Sequence, residues 1–480
     1  MVLALVPCAQ AQTAPGSISG RVQSEVTGQY LLNVRVTVKG TDLTAFTDSY
    51  GIFRLAGVPS GTVTLDTFYS GLDPQQIVLT LAPGQAVVRD ISLTSRATAG
   101  DKSGVVKLDP FVLTASKLTE GEALATNEQR FAPNIKNVVS TDAFGDVPEG
   151  NIAEFMRFLP GVTVGYEDEM PTAVSIRGFG GAMTNVMTDG ATMANSARIG
   201  SSREFDFIQV SINNVSRIEV TKVPTPANPA SGLSGNVNMV SKNSFERSRA
   251  QLNYRLTFSG HGDNLKTSPQ PFPFDTRERP VKLGFDFDYT RPVTKNFGLV
   301  LTALQSFTMT NQDTANTTWN ATAAGTGATP SRPYLQTHTL LEAPKWRDRN
   351  SAGLKLDWRV SPNSVLTLGM QANYYRYVNG NLQRTTSVGT TAAPAIAGGV
   401  PLTFGENFAR SATGRGTAGF GSNFLHDYAK TLSANTRYRY QSAEWLIDAG
   451  ANASKSITWR RTIMKGHFNS FGSSLLATTG

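Results

Sequence analysis

Charge, cysteine, histidine and long apolar runs are all scarce in this 480-residue chain. Charged residues make up 17% of it, against roughly 25% in an average soluble domain. No stretch approaches the roughly 20 consecutive apolar residues that a membrane helix needs, so a helical membrane protein is excluded. The one cysteine, Cys8, lies close to the N-terminus. Cleavage after Ala11 or Gln12 would leave a mature chain without thiol or disulfide chemistry. Pro7 directly before Cys8 fits poorly with a lipid-attachment cysteine. The four histidines, His261, His338, His426 and His467, fall in predicted loops or after the last predicted strand. None has a second histidine or a carboxylate in metalloprotease spacing, and no nucleophile elbow with triad context is present. We therefore expect no catalytic residue, no metal ligand and no cofactor. The net charge of +8 is scattered along the chain and not gathered into the stripe that nucleic-acid binding requires, so no nucleic-acid partner is expected.

What is present begins with a short apolar run and small residues at Ala9 and Ala11, the end of a secretory signal without its basic region. We assign residues 1–12 to a partial signal peptide. Residues 13–96 read as a small β-sandwich, with short alternating strands at Ile18–Val22, Val34–Val38, Gly51–Leu55 and Val63–Leu65 and turn residues between them. Gly20-x-Val22, Val36-x-Val38-x-Gly40-Thr41, Thr47-Asp48-x-x-Gly51-x-Phe53 and Pro59-x-Gly61 together resemble the carboxypeptidase-regulatory-like domain. That resemblance implies a structural or docking module and no peptidase activity.

Residues 97–125 open with a small, polar, linker-like stretch. A strand-like segment follows: Val105, Val106, Lys107, Leu108, Asp109, Pro110, Phe111, Val112, Leu113, Thr114 and Ala115. It is either a stray edge strand or an extended peptide that adds itself to a partner's sheet.

Residues 126–246 are mixed α/β. Apolar residues at 152, 155, 156 and 159 share one helical face. Asn151 stands at the N-cap, Glu154 at the capping-box position, and Pro160-Gly161 ends the helix. Four motifs follow: Ile176-Arg177-Gly178, then Asp189-Gly190, then Ile218-Glu219-Val220 with Lys222, then Gly235-x-Val237-Asn238 with Lys242. In order and spacing they resemble the plug domain of TonB-dependent outer-membrane receptors. Val223 and Ser234 stand where that family usually has glycine, which puts ligand class and not fold in doubt. Gly178-x-Gly180-Gly181 lacks the ending and the following helix of a phosphate loop.

From residue 247 to 480 the pattern becomes one of alternation. Leu252, Tyr254, Leu256 and Phe258 alternate with polar residues, and so do Leu283, Phe285, Phe287 and Tyr289. Further sets centre on Leu301, Leu354, Met370, Ala434 and Ala449, with Val300 and Leu304 as exceptions. Lys282, Asp286, Asp288, Lys355, Asp357 and Arg359 fall on the opposite face. Each set spans the roughly 9–11 residues that cross a bilayer at a tilt, and aromatics sit toward the ends, as in membrane barrels. Long loops near 260–280, 308–350 and 376–430 alternate with short turns at 292–295, 361–363 and 441–444, the pattern of outer-membrane barrels. Plugged transporters have about 22 strands. The seven strong sets here therefore suggest a truncated barrel that would bind its energising partner without transporting.

The expected fold is mainly β: a β-sandwich, an α/β plug, then the first strands of a transmembrane antiparallel barrel. The resemblance implies a TonB-dependent receptor that imports a siderophore or oligosaccharide and is not an enzyme. It implies outer-membrane localisation with lipid around the barrel, and a periplasmic plug and N-terminal domain. The TonB periplasmic domain is the implied partner at Val105–Ala115. Trp319, Tyr334 and Trp346 are candidates to stack a sugar. An adhesin or passive porin without energy coupling remains open, as does a secreted metal-dependent hydrolase.

Overall fold

The computed structural model describes residues 14–25, 28–94, 120–141, 151–167, 170–195, 203–226, 228–246, 248–260, 281–442, 445–465 and 471–477. The signal-like segment and the Val105–Ala115 segment lie outside the described residues, as do His261 and His467.

Strict alternation folds as expected in the N-terminal domain. Along Gly16–Ser24 every second side chain is buried. This strand pairs with Ile52–Val58, Ala86–Val88 and Ile91–Leu93 in one sheet. The second sheet runs Thr44–Phe46, Arg35–Val38, Gly61–Phe68, Gln75–Leu81. Ile18, Val22, Val36, Phe53 and Leu65 fill the space between the two sheets. The last three strands escape the sequence pattern because two of them are only three residues long and the third, Gln75–Leu81, buries only its last residue.

The central domain is built on a five-stranded sheet. Its order is Ala191–Thr192, Thr184–Thr188, Gly235–Ser241, Val215–Thr221, Lys136–Ser140, with Thr184–Thr188 parallel to Gly235–Ser241. A hairpin of Val162–Glu167 and Met170–Ile176 packs nearby. The helix at Ile152–Met156 starts where the cap residue predicts, with the Asn151 side chain accepting from the Ala153 N–H at 3.0 Å. It is shorter than the apolar spacing suggests. Glu154 does not reach back to the cap and instead pairs with Arg157 at 3.1 Å. Phe155, Met156, Ile176, Ile218, Val220 and Val237 close the core beneath this helix. A second helix, Glu120–Arg130, was not expected from the sequence.

The third unit is an antiparallel sheet of very long strands. Its path is Gln251–Gly260, Val281–Pro292, Phe297–Asn320, Tyr334–Ser361, Ser364–Ser387, Gly416–Gln441, Leu446–Arg460. Phe471–Ala477 pairs with the far end of Gly416–Gln441, so it continues the edge that Leu446–Arg460 begins and adds no new position to the sheet. Tight turns join the strands at Ser361–Ser364 and Pro292–Phe297.

Two expectations are corrected here. Only Gln251–Gly260, with 10 residues, keeps the expected 9–11; the other strands of the path are longer, and the supposed loops at 308–350 and 376–430 are mostly strand: Phe297–Asn320 has 24 residues and Tyr334–Ser361 has 28. Their outer halves carry Thr, Asn and Gln on both faces. The amphipathic alternation that marks a strand in sequence is lost there while the ladder of backbone hydrogen bonds continues. His338 and His426 likewise lie within strands and not in loops. His426 stacks on Tyr428, with 2.9 Å between the ring nitrogen Nε2 and the phenol oxygen.

The two faces of this sheet differ sharply. Leu252, Tyr254, Leu256, Leu283, Met370 and Ile447 are exposed on one side. Thr302, Lys355, Asp357 and Arg359 on the other side are buried. Contiguous apolar surface on this scale is foreign to a soluble monomer and has the character of the outward face of a membrane barrel wall. Val300 and Leu304, which break the sequence pattern, belong to the inner face and are buried. Among the described residues no helix is long and apolar enough to cross a membrane.

Candidate functional site

The seam between the central domain and the inner face of the long sheet gathers most of the sequence motifs. At its middle, Thr188 and Ala191 pair across a two-residue turn. The turn residues Asp189 and Gly190 have φ of 51° and 82°. This left-handed pair is the Asp-Gly signature of a tight hairpin. The turn aims the Asp189 carboxylate at Ser241, which donates its N–H at 2.9 Å and its hydroxyl at 2.6 Å. From the sheet wall, Asn435 donates to the same carboxylate at 3.3 Å, and Lys355 Nζ lies 3.9 Å away. Lys355 also donates to the Ser241 hydroxyl at 2.7 Å. The Gly190 N–H is taken up by the side chain of Asn238 at 2.9 Å. Burial alone would raise the Asp189 pKa; Lys355 and the bonds from Ser241 and Asn435 outweigh it, and the group sits below the usual carboxylate range.

A second cluster lies on the strand bearing the Ile218-Glu219-Val220 motif. Ile218 and Val220 point into the core, and Glu219 points the other way, into a group of four charges. Lys136 bridges Glu219 at 2.9 Å and Glu128 at 3.1 Å. Arg217 lies 2.6 Å from Glu128 and 3.2 Å from Glu219, and Asn238 donates to Glu219 at 3.3 Å. Burial would raise the pKa of Glu219, but Arg217 and Lys136 pull it down to about 2. Glu128 moves the other way: burial raises it, helped by the neighbouring Glu219 charge, and Arg217 only partly offsets this. Glu128 comes from the unexpected helix, so this cluster ties the first element of the central domain to its sheet.

The remaining motifs converge at a third point. Arg177 has φ of 55° and opens a turn with Gly178. Its guanidinium donates to the carbonyl of Ser234 at 3.1 Å. Next to it, a Cβ on Gly235 would stand 2.6 Å from the Thr221 carbonyl and 3.1 Å from Ile176, so only glycine fits this approach. Lys222 stands close to Gly161, its Nζ 3.6 Å from where a Cβ would sit.

The chain leaves the central domain through a held turn. Lys242 pairs with Asp288. Ser244 donates its N–H at 2.9 Å and its hydroxyl at 2.6 Å to Asp357 of the wall, and Thr367 donates to the other oxygen at 3.0 Å. Higher along the seam, Arg349 donates to the Ile208 carbonyl at 2.8 Å. Ala194 bonds Ser454 at 3.0 Å. Met170 and Ile208 pack on Tyr375 and Tyr377.

The alternation places Asp288, Lys355 and Asp357 on the inner face, but it does not supply their partners. Lys136, Arg217, Glu128 and Ser241 carry no signal of their own in the sequence. Of the three aromatic candidates for sugar stacking, Tyr334 and Trp346 are buried and Trp319 is exposed. The Val105–Ala115 segment is outside the described residues.

Comparison with known proteins fits this arrangement. Residues 128–237 match the TonB-dependent Receptor Plug Domain family, and residues 17–94 match the Carboxypeptidase regulatory-like domain family. No curated protein matches the chain. Among solved structures it is similar to a variant of the ferric enterobactin receptor of Pseudomonas aeruginosa bound to enterobactin, at 13% identity over 68% of this chain and 55% of that one, with a TM-score of 0.32. It is also similar to the siderophore receptor PirA of Acinetobacter baumannii, at 13% identity over 69% and 58%, with a TM-score of 0.29. A cohesin–X-dockerin complex of Acetivibrio cellulolyticus matches 16% of this chain and 56% of its own at 20% identity and a TM-score of 0.15. The chain spans a little over half the length of the two receptor structures.

Proposed function

We propose that this chain, a member of the TonB-dependent receptors by its plug domain, works as an energised importer of the outer membrane. The observation that supports this best is the seam itself. A compact domain is seated against the polar face of a sheet whose other face is apolar and exposed. It is held there by hydrogen bonds, ion pairs and one small apolar cluster of Met170 and Ile208 on Tyr375 and Tyr377, not by a continuous apolar core. Each such bond contributes only about 0.5–3 kcal/mol net, so the plug can be moved without unfolding the wall.

In this reading the wall lies in lipid and the sandwich and short turns face the periplasm. The segment Val105–Ala115, just upstream of the plug, adds as a strand to the TonB periplasmic domain. Force applied there reaches helix Glu120–Arg130 first and, through Glu128, the charge cluster on the plug sheet. The imported ligand is a siderophore or an oligosaccharide, and no bond-breaking step is required of the protein.

The test uses a peptide of residues 105–115 with purified TonB periplasmic domain, and a receptor lacking those residues. Binding of the peptide is expected. The deleted receptor should still bind its ligand on cells, assayed with ferric enterobactin and with a maltooligosaccharide, but lose uptake. Undiminished uptake by the deleted receptor would instead establish a passive pore, and binding without uptake in the intact receptor an adhesin.

A further inference from the structure

The sandwich domain does not hang free of the rest of the molecule. Arg54 reaches two short turns of the wall: its guanidinium donates to the Gln441 carbonyl and, at 2.7 Å, to the Asn363 side chain. Tyr50 meets Phe245 edge-on at 6.2 Å, and Val365 of the wall closes the same small buried cluster. Arg359 lies over the Phe245 ring, 4.6 Å from its centre. Backbone bonds run both ways beside it: the Tyr30 N–H donates to Glu246 O and the Ser248 N–H donates to Gly28 O, each at 2.7 Å. That is a rung of antiparallel ladder between the sandwich and the segment that joins plug to wall.

The same domain also holds the first plug helix, Glu120–Arg130. Ala123 is part of the sandwich core. Asn127 accepts from the Ser70 N–H at 3.3 Å, and Arg130 donates to the Ser70 hydroxyl at 2.8 Å. Phe46 packs on Phe131 at 4.8 Å. Between these two attachments the sandwich borders a polar cavity of about 910 Å³, lined by Asn33 and Tyr50 from its own side, Glu219 and Asn238 from the plug and Lys355 and Arg437 from the wall.

We propose that the sandwich is a cross-brace whose docking surface is this chain's own periplasmic rim. It grips the rim turns with Arg54, the plug-to-wall junction with Tyr50 and the first plug helix with Ser70 and Phe46, and so restrains that helix against the wall. On its other side the helix is tied to the plug sheet by polar contacts alone, Glu128 to Lys136 and Arg217 and Gln129 to Asn137 and the Val138 carbonyl. Bound to the sandwich, it moves only if the rim contacts also open. The brace also closes the polar cavity on the sandwich side. None of these residues is in the segment Val105–Ala115, so the brace and the TonB reading fail independently.

The test uses the full chain in liposomes. A Cβ on Gly28 would lie 3.7 Å from the Ser248 Cβ, within the roughly 3.5–4.5 Å of a disulfide. Gly28→Cys with Ser248→Cys, in a Cys8→Ser background, should cross-link within one chain on mild oxidation. Arg54→Ala, which keeps the sandwich core intact, should make the amides of Glu120–Arg130 exchange with deuterium at least about tenfold faster, the scale of losing a hydrogen bond from a charged donor. The amides of Gly235–Ser241 should be unaffected. Absence of the cross-link in folded protein, or helix exchange indifferent to Arg54→Ala, would overturn the brace. If the cysteine pair fails to fold, the exchange measurement alone decides.

Discussion

The hydroxyl of Ser241 stands between Asp189 and Lys355, donating to the carboxylate at 2.6 Å and accepting from the ammonium at 2.7 Å. A turn of the plug and a strand of the barrel wall are thereby joined through one small side chain. The Lys355 side chain is buried and that of Asp189 only 15% exposed, and Asn435 fills another position on the carboxylate. Removing one member of a buried pair strands the other, which costs roughly 3–5 kcal/mol, whereas removing both is far milder. Asp189→Ala and Lys355→Met should each destabilise the seated plug by that order, and the double substitution by much less than their sum. A double-mutant cycle from urea titrations of plug hydrogen exchange measures this. Additive losses would mean that the two groups do not share an energetic link.

The second prediction concerns acid. Glu219 has its pKa lowered in the fold from 4.5 to about 2. A depressed carboxylate contributes stability that is fully present above the unfolded value and is lost as pH falls through the folded one. Its contribution should therefore fade between about pH 5 and pH 2. Glu128, whose pKa is raised, has the opposite sign and blunts the effect in the parent protein. The comparison that isolates Glu219 is Glu219→Gln. It should be less stable than the parent at pH 7, with the gap closing as pH falls toward 2. Exchange of the neighbouring Lys136–Ser140 amides reports it. A gap that stays constant over this range would show that the four charges do not hold the strand as drawn.

How much of this could be read in the sequence divides along one physical line. Features set by neighbours a few residues apart were legible: the Asn151 cap and the alternation of Leu252, Tyr254 and Leu256. Features set by distant partners were not. Asp357 could be placed on the inner face by counting, but that it receives both donors of Ser244 depends on how plug and wall are seated. Helix Glu120–Arg130 lacks a strong apolar stripe: its buried apolar residues are the consecutive Ala123, Leu124 and Ala125, and the rest of its hold is polar, through Asn127 to the sandwich and Glu128 to the plug sheet. The outer halves of the long strands were invisible because they project past the apolar band, where nothing selects for alternation.

Asp357 itself yields a third prediction. It is fully buried and takes bonds from Ser244, Asn243 and Thr367. Asp357→Ala leaves several buried donors unpaired, at roughly 1–3 kcal/mol each. The turn Ser244–Glu246 should open, and limited proteolysis should cut the plug-to-wall junction much faster than in the parent. Asp357→Asn keeps acceptor capacity and should be intermediate. Cleavage at the parent rate in Asp357→Ala would show that the junction is held by the Tyr50–Phe245 cluster instead.

The membrane assignment can be tested on a single strand. Met370 and Leu382 both lie on the outward face of Ser364–Ser387, and both are exposed, at 61% and 40%. Met370 is central to the apolar band that starts at the Ser361–Ser364 turn, whereas Leu382 is twelve residues farther on, roughly 40 Å along the strand. An arginine near the bilayer midplane of a barrel costs about 2–4 kcal/mol, falling to about 0–1 near its edges. Met370→Arg should therefore impair folding into lipid vesicles by that amount, and Leu382→Arg hardly at all. A soluble sheet would treat both exposed positions alike. Equal and small effects of the two arginines on urea titrations in vesicles would thus remove the lipid from this face, and with it the reading of the long sheet as a barrel wall.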